Sequence, residues 1–220
     1  MKIFSIHYNK PEYIEIQKSS IDKYVKFEHE FIVIDNSIDI NIKKEIVNIT
    51  NNLGIKYYDC NNTSPSVGSS SHQHALRYLL SIINDGDSIM IMDHDIFPID
   101  YIYESYYENC DVVCLNHIKG HVIYPWPGLI ILNNIRNKNQ MSFDPGNIDG
   151  FNCDTGGNMH YYIRNNNLKI KEIAERHMYQ DELLMSTMDY LFIHLISGSD
   201  WNKSYDLQGK LNLIKDKLEL

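Results

Sequence analysis

Residues 89–92 constrain the fold more strongly than any other part of the sequence. They are four consecutive large apolar residues, and Asp93, His94 and Asp95 follow them directly. A short strand that is apolar on both faces is typical of the middle of a sheet covered by helices on both sides. We therefore predict a central strand at residues 88–92 that delivers Asp93-His94-Asp95 to its carboxyl end, where ligands of open α/β sheets gather.

Short runs rich in isoleucine and valine alternate along the chain with longer stretches in which apolar residues recur at helical spacing. This alternation predicts an α/β fold, a single Rossmann-like domain with a mostly parallel central sheet flanked by helices. We predict strands at residues 3–7, 31–34, 55–58, 88–92, 111–115, 128–132 and 191–196. We predict helices at residues 11–24, 42–53, 75–83, 155–165, 181–188 and 205–220, and a polar loop at residues 133–152.

Composition excludes several classes of protein. Hydrophobic residues make up 43% of the chain and charged residues 22%, which is typical of a globular protein and not of a disordered one. The net charge of -9 argues against nucleic-acid binding, which depends on lysine and arginine. The first residues turn polar too soon for a signal peptide or a membrane span, so we expect a cytoplasmic protein. The cysteines lack the spacing of zinc ligands, and we expect buried thiols at Cys60, Cys110, Cys114 and Cys153.

Asp93 and Asp95 are placed to ligate one hard cation, because the residue between them points away. The same pattern also occurs in solvated turns, but its position directly after a buried strand favours a metal site. An acidic protein that binds a diphosphate needs a local source of positive charge, and a divalent cation held by carboxylates supplies it.

Residues 88–98 resemble the strand and Asp-x-Asp motif of metal-dependent glycosyltransferases with the A-type fold, of a family 2-like or family 8-like kind. Those enzymes hold Mn²⁺ or Mg²⁺ on the diphosphate of a sugar nucleotide. Residues 34–37 are similar to the family signature whose aspartate contacts the base. Residues 68–77 resemble its glycine and helix segment, although His72 and His74 stand where the family usually has Ala-Arg-Asn.

Residues 194–201 resemble the C-terminal element in which a histidine completes the metal site and the following loop covers the phosphates. The resemblance implies metal ligands at Asp93, Asp95 and His194, although a packing role for His194 is the alternative. It implies contacts to the sugar nucleotide from His7, Tyr8, Asp35, Asn36, Gly68, His72, Asp93, His94, Gly198, Ser199 and Trp201. Trp126 lies in a segment that resembles the acceptor side of the family.

Inverting sugar transfer needs a carboxylate that deprotonates the acceptor hydroxyl. Asp154 is the first candidate, since glycines follow it and let a substrate approach the backbone, although it also suits a helix N-cap. Asp181 and Glu182 are the other candidates, because their segment resembles both the Asp-Gln element of retaining enzymes and the acid pair of inverting ones. The base and the stereochemical outcome therefore stay open.

The resemblance implies a glycosyltransferase that moves a sugar from a UDP-sugar to a glycan hydroxyl. We expect a nucleotide-binding half at residues 1–100, an acceptor-binding half at 101–204 and a C-terminal helix at 205–220. A sugar-phosphate nucleotidyltransferase is less favoured, since no glycine-rich basic loop follows the first strand. A noncatalytic sugar-nucleotide-binding module, a partner chain and a homodimer are further alternatives.

Overall fold

The computed structural model describes residues 1–63, 69–180, 183–195 and 207–218. The helices in this part of the chain are α1 (Tyr13–Tyr24), α2 (Ile40–Asn52), α3 (Ser69–Ile82), α4 (Met159–Asn165) and α5 (Leu207–Leu218). The strands are β1 (Lys2–His7), β2 (Glu30–Asp35), β3 (Lys56–Asp59), β4 (Ile89–Asp93), β5 (Ile96–Pro98), β6 (Val112–Lys119), β7 (Val122–Leu132), β8 (Gly146–Ile148), β9 (Phe151–Cys153), β10 (Ile170–Glu172), β11 (Glu175–Gln180), β12 (Leu183–Met188) and β13 (Phe192–Leu195).

A seven-stranded sheet with the order β10-β6-β7-β4-β1-β2-β3 forms the centre of the fold. β3, β2, β1 and β4 are parallel neighbours, while β7 is antiparallel to both β4 and β6. Because β10 is parallel to β6, β7 alone opposes the other strands of this sheet. The mostly parallel sheet predicted from the sequence is confirmed, and β4 lies at its middle.

Two apolar layers cover the faces of this sheet, and β4 contributes to both. Ile89 and Ile91 point into the layer that contains α3 and α4, whereas Met90 and Met92 point into the layer that contains α1 and α2. All four side chains are fully buried, and burial of each contributes about 1.5–3 kcal/mol. The prediction of a strand that is apolar on both faces is therefore confirmed.

A four-stranded antiparallel sheet with the order β11-β12-β13-β5 continues from the end of β4. β5 follows β4 after a turn of two residues, and β13 pairs with β5 so that His194 lies opposite Ile96. α5 packs on α1, with Ile214 and Leu218 fully buried. The predicted C-terminal helix is present at these positions.

The helix predicted at residues 181–188 is wrong, because residues 183–188 form β12. Leucine and methionine are good helix formers. However, β12 has hydrogen-bonding neighbours on both sides, β11 and β13, and its Met185 and Met188 are buried. Strand pairing here overrides the local helix preference.

The prediction of a loop throughout residues 133–152 is also wrong, since this segment contains β8 and the start of β9.

β7 begins well before residue 128, where the sequence predicts its start, even though Pro125 and Pro127 lack amide donors. The register of the β6–β7 ladder shifts between Cys114 and Asn116: Pro125 lies opposite Asn116, and Pro127 lies in the unpaired stretch, which lets the strand continue. α4 begins at Met159, later than predicted, because Gly156 has φ +98 and breaks the helical path.

The four cysteines are free, and the expected buried thiols are confirmed at Cys60, Cys114 and Cys153, whereas Cys110 is half-buried. Among the described residues, no helix is long and apolar enough to cross a membrane.

Candidate active site

Two histidine–aspartate contacts meet at the turn between β4 and β5. Asp93 ends β4, and its Oδ1 lies 3.0 Å from Nε2 of His72, which projects from the first turn of α3. Asp95 lies at the end of the turn, and its Oδ1 is 3.8 Å from Nε2 of His194 on β13. The pairing of β13 with β5 brings His194 to this position. Three segments that are distant in sequence thus place two carboxylates and two imidazoles together.

The contact between His72 and Asp93 changes the proton affinity of both groups. Burial disfavours the charged form of each, but the attraction between them outweighs it. The pKa of Asp93 is therefore lowered and the pKa of His72 is raised. Nε2 of His72 and Oδ1 of Asp93, 3.0 Å apart, are thus the two atoms of an ion pair when His72 is protonated.

The carboxylate oxygens and imidazole nitrogens at this turn are atom types that bind divalent cations. Carboxylate oxygens bind Mn²⁺ and Mg²⁺, and neutral imidazoles favour Mn²⁺. Two buried imidazole nitrogens have no hydrogen-bond partner among the described residues, which is costly unless a ligand satisfies them: Nε2 of His94 and Nδ1 of His194. In the described part of the chain no three His, Cys, Asp or Glu side chains already surround one point, because Asp93 faces His72 and Asp95 faces His194.

His7, at the end of β1, and His94, in the turn itself, are both buried. The Nδ1 of His7 lies 3.2 Å from the carbonyl oxygen of Lys10, and its Nε2 lies 3.3 Å from Oε1 of Gln17. Burial lowers the pKa of His7 to about 3. The ring of His94 stacks on Tyr13 at 5.7 Å between centroids. Both histidines therefore support the turn from inside, whereas Tyr8 is half-buried in the bend after β1.

Asp35 and Asn36 lie where β2 ends, at the same edge of the sheet as Asp93. Asp35 is fully buried, and its carboxylate accepts hydrogen bonds from the Ser37 amide at 2.8 Å and the Tyr57 hydroxyl at 3.0 Å. Burial raises the pKa of Asp35. The Asn36 side chain donates to Ser71 at the start of α3, so its amide is occupied by a contact within the protein.

Asp154 lies beside the middle of β7, in a setting that differs from that of Asp93 and Asp95. The Tyr124 hydroxyl donates to its Oδ1 at 3.0 Å, and Nδ1 of His117 lies 3.7 Å from the same oxygen. Burial, followed by this hydrogen bond, raises the pKa of Tyr124 to about 12. A Cβ on Gly156 would lie 2.3 Å from the Pro125 carbonyl oxygen, so the segment after Asp154 packs closely on β7.

Trp126 lies on β7, and its ring packs against His194 on β13. Its ring lies 5.2 Å from that of His194 and covers Gly128, where a Cβ would lie 2.3 Å from the indole. Tyr124, two residues before Trp126 on β7, contacts Asp154. Asp154 and His194 thus pack against β7 residues that are two positions apart.

Several predicted site residues lie outside the described part of the chain, and they are Gly68, Asp181, Glu182, Gly198, Ser199 and Trp201. Sequence reasoning missed Gln17 and Tyr124, which contact the Asp93 backbone and Asp154 respectively. Gln17 carries one local signal, since it is a polar residue at a position where α1 is buried.

Comparison with known proteins gives structural matches alone, because no protein-family model and no curated protein matches this sequence. The mannosyltransferase PcManGT from Pyrobaculum calidifontis, in complex with GDP-Man and Mn²⁺, is 12% identical, with 78% of this chain and 53% of that chain covered and a TM-score of 0.50. S. aureus TarS 1-349 is 15% identical, with 99% and 70% covered and a TM-score of 0.47. The galactosyltransferase LgtC, in complex with donor and acceptor sugar analogs, is 15% identical, with 60% and 58% covered and a TM-score of 0.43.

This chain spans little more than half the length of PcManGT and of LgtC. At such low identity the likeness to PcManGT bears on the fold alone. With the central sheet described above, it confirms the fold prediction: the chain has the A-type fold of glycosyltransferases.

Proposed function

We propose that this chain is a glycosyltransferase that moves a sugar from a nucleoside-diphosphate sugar, UDP-sugar being the expected donor, to a hydroxyl of a glycan. The observation that carries the proposal is the convergence of Asp93 and Asp95 with His72 and His194 at the carboxyl end of β4. This edge of an open α/β sheet is where ligands bind.

The donor half of the reaction is assigned to residues 1–100 together with His194. Asp93, Asp95 and His194 would hold Mn²⁺ or Mg²⁺, which supplies positive charge to the departing diphosphate when bound. Asp35, at the end of β2, would accept a hydrogen bond from the base, which requires its buried carboxylate to become accessible when the nucleotide binds. Such an acceptor suits the ring N–H of uracil and also that of guanine, so both belong in the test.

The acceptor half is assigned to residues 101–204. Asp154 would take the proton of the acceptor hydroxyl. At the same time the hydroxyl oxygen bonds to the anomeric carbon of the donor sugar, and the bond between that carbon and the diphosphate oxygen breaks. The hydrogen bond from Tyr124 fixes one carboxylate oxygen, which leaves the other available for the hydroxyl. Trp126, whose ring lies 5.2 Å from that of His194, offers an aromatic surface of the kind that stacks on sugar rings.

An assay of nucleoside-diphosphate release tests this proposal. The protein is incubated with UDP- and GDP-sugars, Mn²⁺ and a panel of glycan acceptors, and Asp154→Asn is compared with Asp181→Asn and Glu182→Gln. We expect acceptor-dependent release that EDTA abolishes and that Asp154→Asn lowers by about 100-fold or more. No release with any donor and acceptor would contradict the proposal. A larger loss of activity in Asp181→Asn or Glu182→Gln than in Asp154→Asn would assign the role of base to that residue instead.

A further inference from the structure

Gln17 is a fully buried residue on α1 whose amide nitrogen donates two hydrogen bonds to the turn that carries Asp93 and Asp95. Its Nε2 donates to the carbonyl oxygen of Asp93 at 3.1 Å and to that of Ile96 at 2.8 Å. These carbonyls belong to the residues that flank His94 and Asp95. One side chain therefore bridges both ends of the turn.

The orientation of this amide is determined by its surroundings. Both neighbours of Nε2 are carbonyl oxygens, which only accept, so the nitrogen must face them. Oε1 is left to face Nε2 of His7 at 3.3 Å. The last residue of β1, a helix residue and the turn after β4 thus form one buried hydrogen-bond network.

The backbone of the turn has few other restraints from outside its own strands. The His94 amide donates to the Ile6 carbonyl at 3.2 Å, and the Leu195 amide donates to the Asp95 carbonyl at 2.9 Å. Each of these bonds restrains a single residue. Gln17 is the described side chain that restrains the first and last residues together.

We propose that Gln17 is a positioning residue, whose buried amide fixes the turn carrying Asp93 and Asp95 and thereby sets the affinity for the divalent cation. This inference rests on the proposed function, since it assumes that the two aspartates hold a cation. Groups that orient metal ligands from behind commonly change metal affinity by about 10- to 100-fold when they are removed.

Ser20 provides a matched control on the same helix. It is also fully buried, and its hydroxyl donates to the carbonyl oxygen of Pro98, at the end of β5 and beyond the turn. Both Gln17→Met and Ser20→Ala remove buried hydrogen bonds between α1 and the β5 segment. Only the first of them removes bonds to the turn itself.

The test is a titration of Mn²⁺ in the presence of UDP, with free Mn²⁺ followed by its electron paramagnetic resonance signal, alongside thermal unfolding of each variant. We expect both variants to unfold at lower temperature than the wild type. Mn²⁺ affinity should fall about 10-fold or more in Gln17→Met and stay within about twofold of the wild type in Ser20→Ala.

Each other outcome overturns the inference in a distinguishable way. Equal Mn²⁺ affinity in the wild type and Gln17→Met contradicts the positioning role and leaves the proposed function intact. Equal weakening in both variants indicates general loosening of α1 and also contradicts it. Absence of Mn²⁺ binding in the wild type overturns the proposed function together with the inference. If Gln17→Met does not fold, Gln17→Glu, which keeps the shape and places an oxygen against the two carbonyls, is judged by the same criteria.

Discussion

At the scale of single residues, Tyr124 determines how Asp154 is held. Its buried hydroxyl donates to one carboxylate oxygen, so the carboxylate has a fixed orientation although half of its side chain is exposed. A base needs this orientation at the moment when it takes a proton. The contribution of Tyr124 should therefore appear in the catalytic rate and not in donor binding.

The substitution Tyr124→Phe tests this assignment. We expect kcat to fall about tenfold, corresponding to loss of one hydrogen bond to a charged group, with the KM for the donor unchanged. Steady-state kinetics of nucleoside-diphosphate release measure both quantities. Tyr101→Phe is the control, because Tyr101 is 49% exposed and is not part of this contact. An unchanged kcat in Tyr124→Phe would contradict the assignment of Tyr124 as the residue that orients Asp154.

A sequence predicts the role of a residue when that role depends on a local pattern. It does not predict the role when the residue's contacts are far away along the chain. Asp93 and Asp95 were identifiable because they follow a doubly apolar strand. Gln17 shows only as a polar residue on the buried face of α1, and its role could not be predicted because the carbonyls that it binds lie 76 and 79 residues away. For the same reason, the sequence placed His72 and His194 near the site but did not pair either one with a particular aspartate.

At the scale of secondary-structure elements, the close approach of the segment after Asp154 to β7 depends on Gly156. This residue has φ +98, and a Cβ would lie 2.3 Å from the backbone oxygen of Pro125. Gly156→Ala should therefore lower the free energy of unfolding by roughly 2–5 kcal/mol, from backbone strain plus the clash.

Gly86→Ala separates these two effects. Gly86 has a similar φ of +86, but a Cβ there would have no neighbour within 4 Å. We expect a loss of roughly 1–2 kcal/mol from strain alone. Urea unfolding of both variants measures the difference. Equal losses in the two variants would mean that the segment moves freely away from Pro125.

The start of α2 provides a prediction that is independent of the site. The carboxylate of Asp39 accepts hydrogen bonds from the amides of Asn41 at 2.7 Å and Ile42 at 3.4 Å. Asp39→Ala should lower the free energy of unfolding by about 1 kcal/mol. Glu45→Ala, a substitution of an exposed residue on the same helix, should leave the free energy of unfolding nearly unchanged. An equal decrease in both variants would contradict the assignment of Asp39 as the N-cap of α2.

Elements with a strong local pattern were predictable, and those defined by pairing were not. α2 and α5 show clear helical spacing of their apolar residues, and both are present. β12 carries leucine and methionine, which favour helices, and only its neighbours β11 and β13 make it a strand. β8, β9 and β5 have three residues each, too few for a periodic pattern to be recognised.

At the scale of the whole molecule, burial of His7 should make stability depend on pH. The pKa of His7 is lowered from 6.5 to about 3 in the folded chain, mainly by burial. Below pH 6.5 the unfolded chain takes up a proton that the folded chain does not, so the free energy of unfolding should decrease as pH falls.

The expected decrease is about 2 kcal/mol between pH 6.5 and pH 5, because each pKa unit corresponds to about 1.4 kcal/mol. Urea unfolding at a series of pH values measures it, and His7→Gln should remove this part of the dependence. The raised pKa of His72 acts in the opposite direction, so the pH dependences of the wild type and His7→Gln are compared. Equal pH dependence in the two would mean that His7 carries a proton in the folded chain. The oxygens of Lys10 and Gln17 that face its two nitrogens would then hold that proton.

The overall architecture was predictable because one strand determines so much of it. A strand buried on both faces requires helices above and below, and short connections place the ends of its parallel neighbours at one edge. The antiparallel sheet that contributes His194 was not predictable, since it depends on β13 pairing with β5.

The central claim is that Asp93 and Asp95 bind a nucleoside diphosphate through a divalent cation, and calorimetric titration tests it most directly. UDP, GDP and UDP-glucose are titrated into the protein with Mn²⁺ and then with EDTA, for the wild type and for Asp95→Asn. The account predicts binding of at least one of these nucleotides that requires Mn²⁺ and is lost in Asp95→Asn. No binding in either condition, or equal binding by Asp95→Asn, would contradict it.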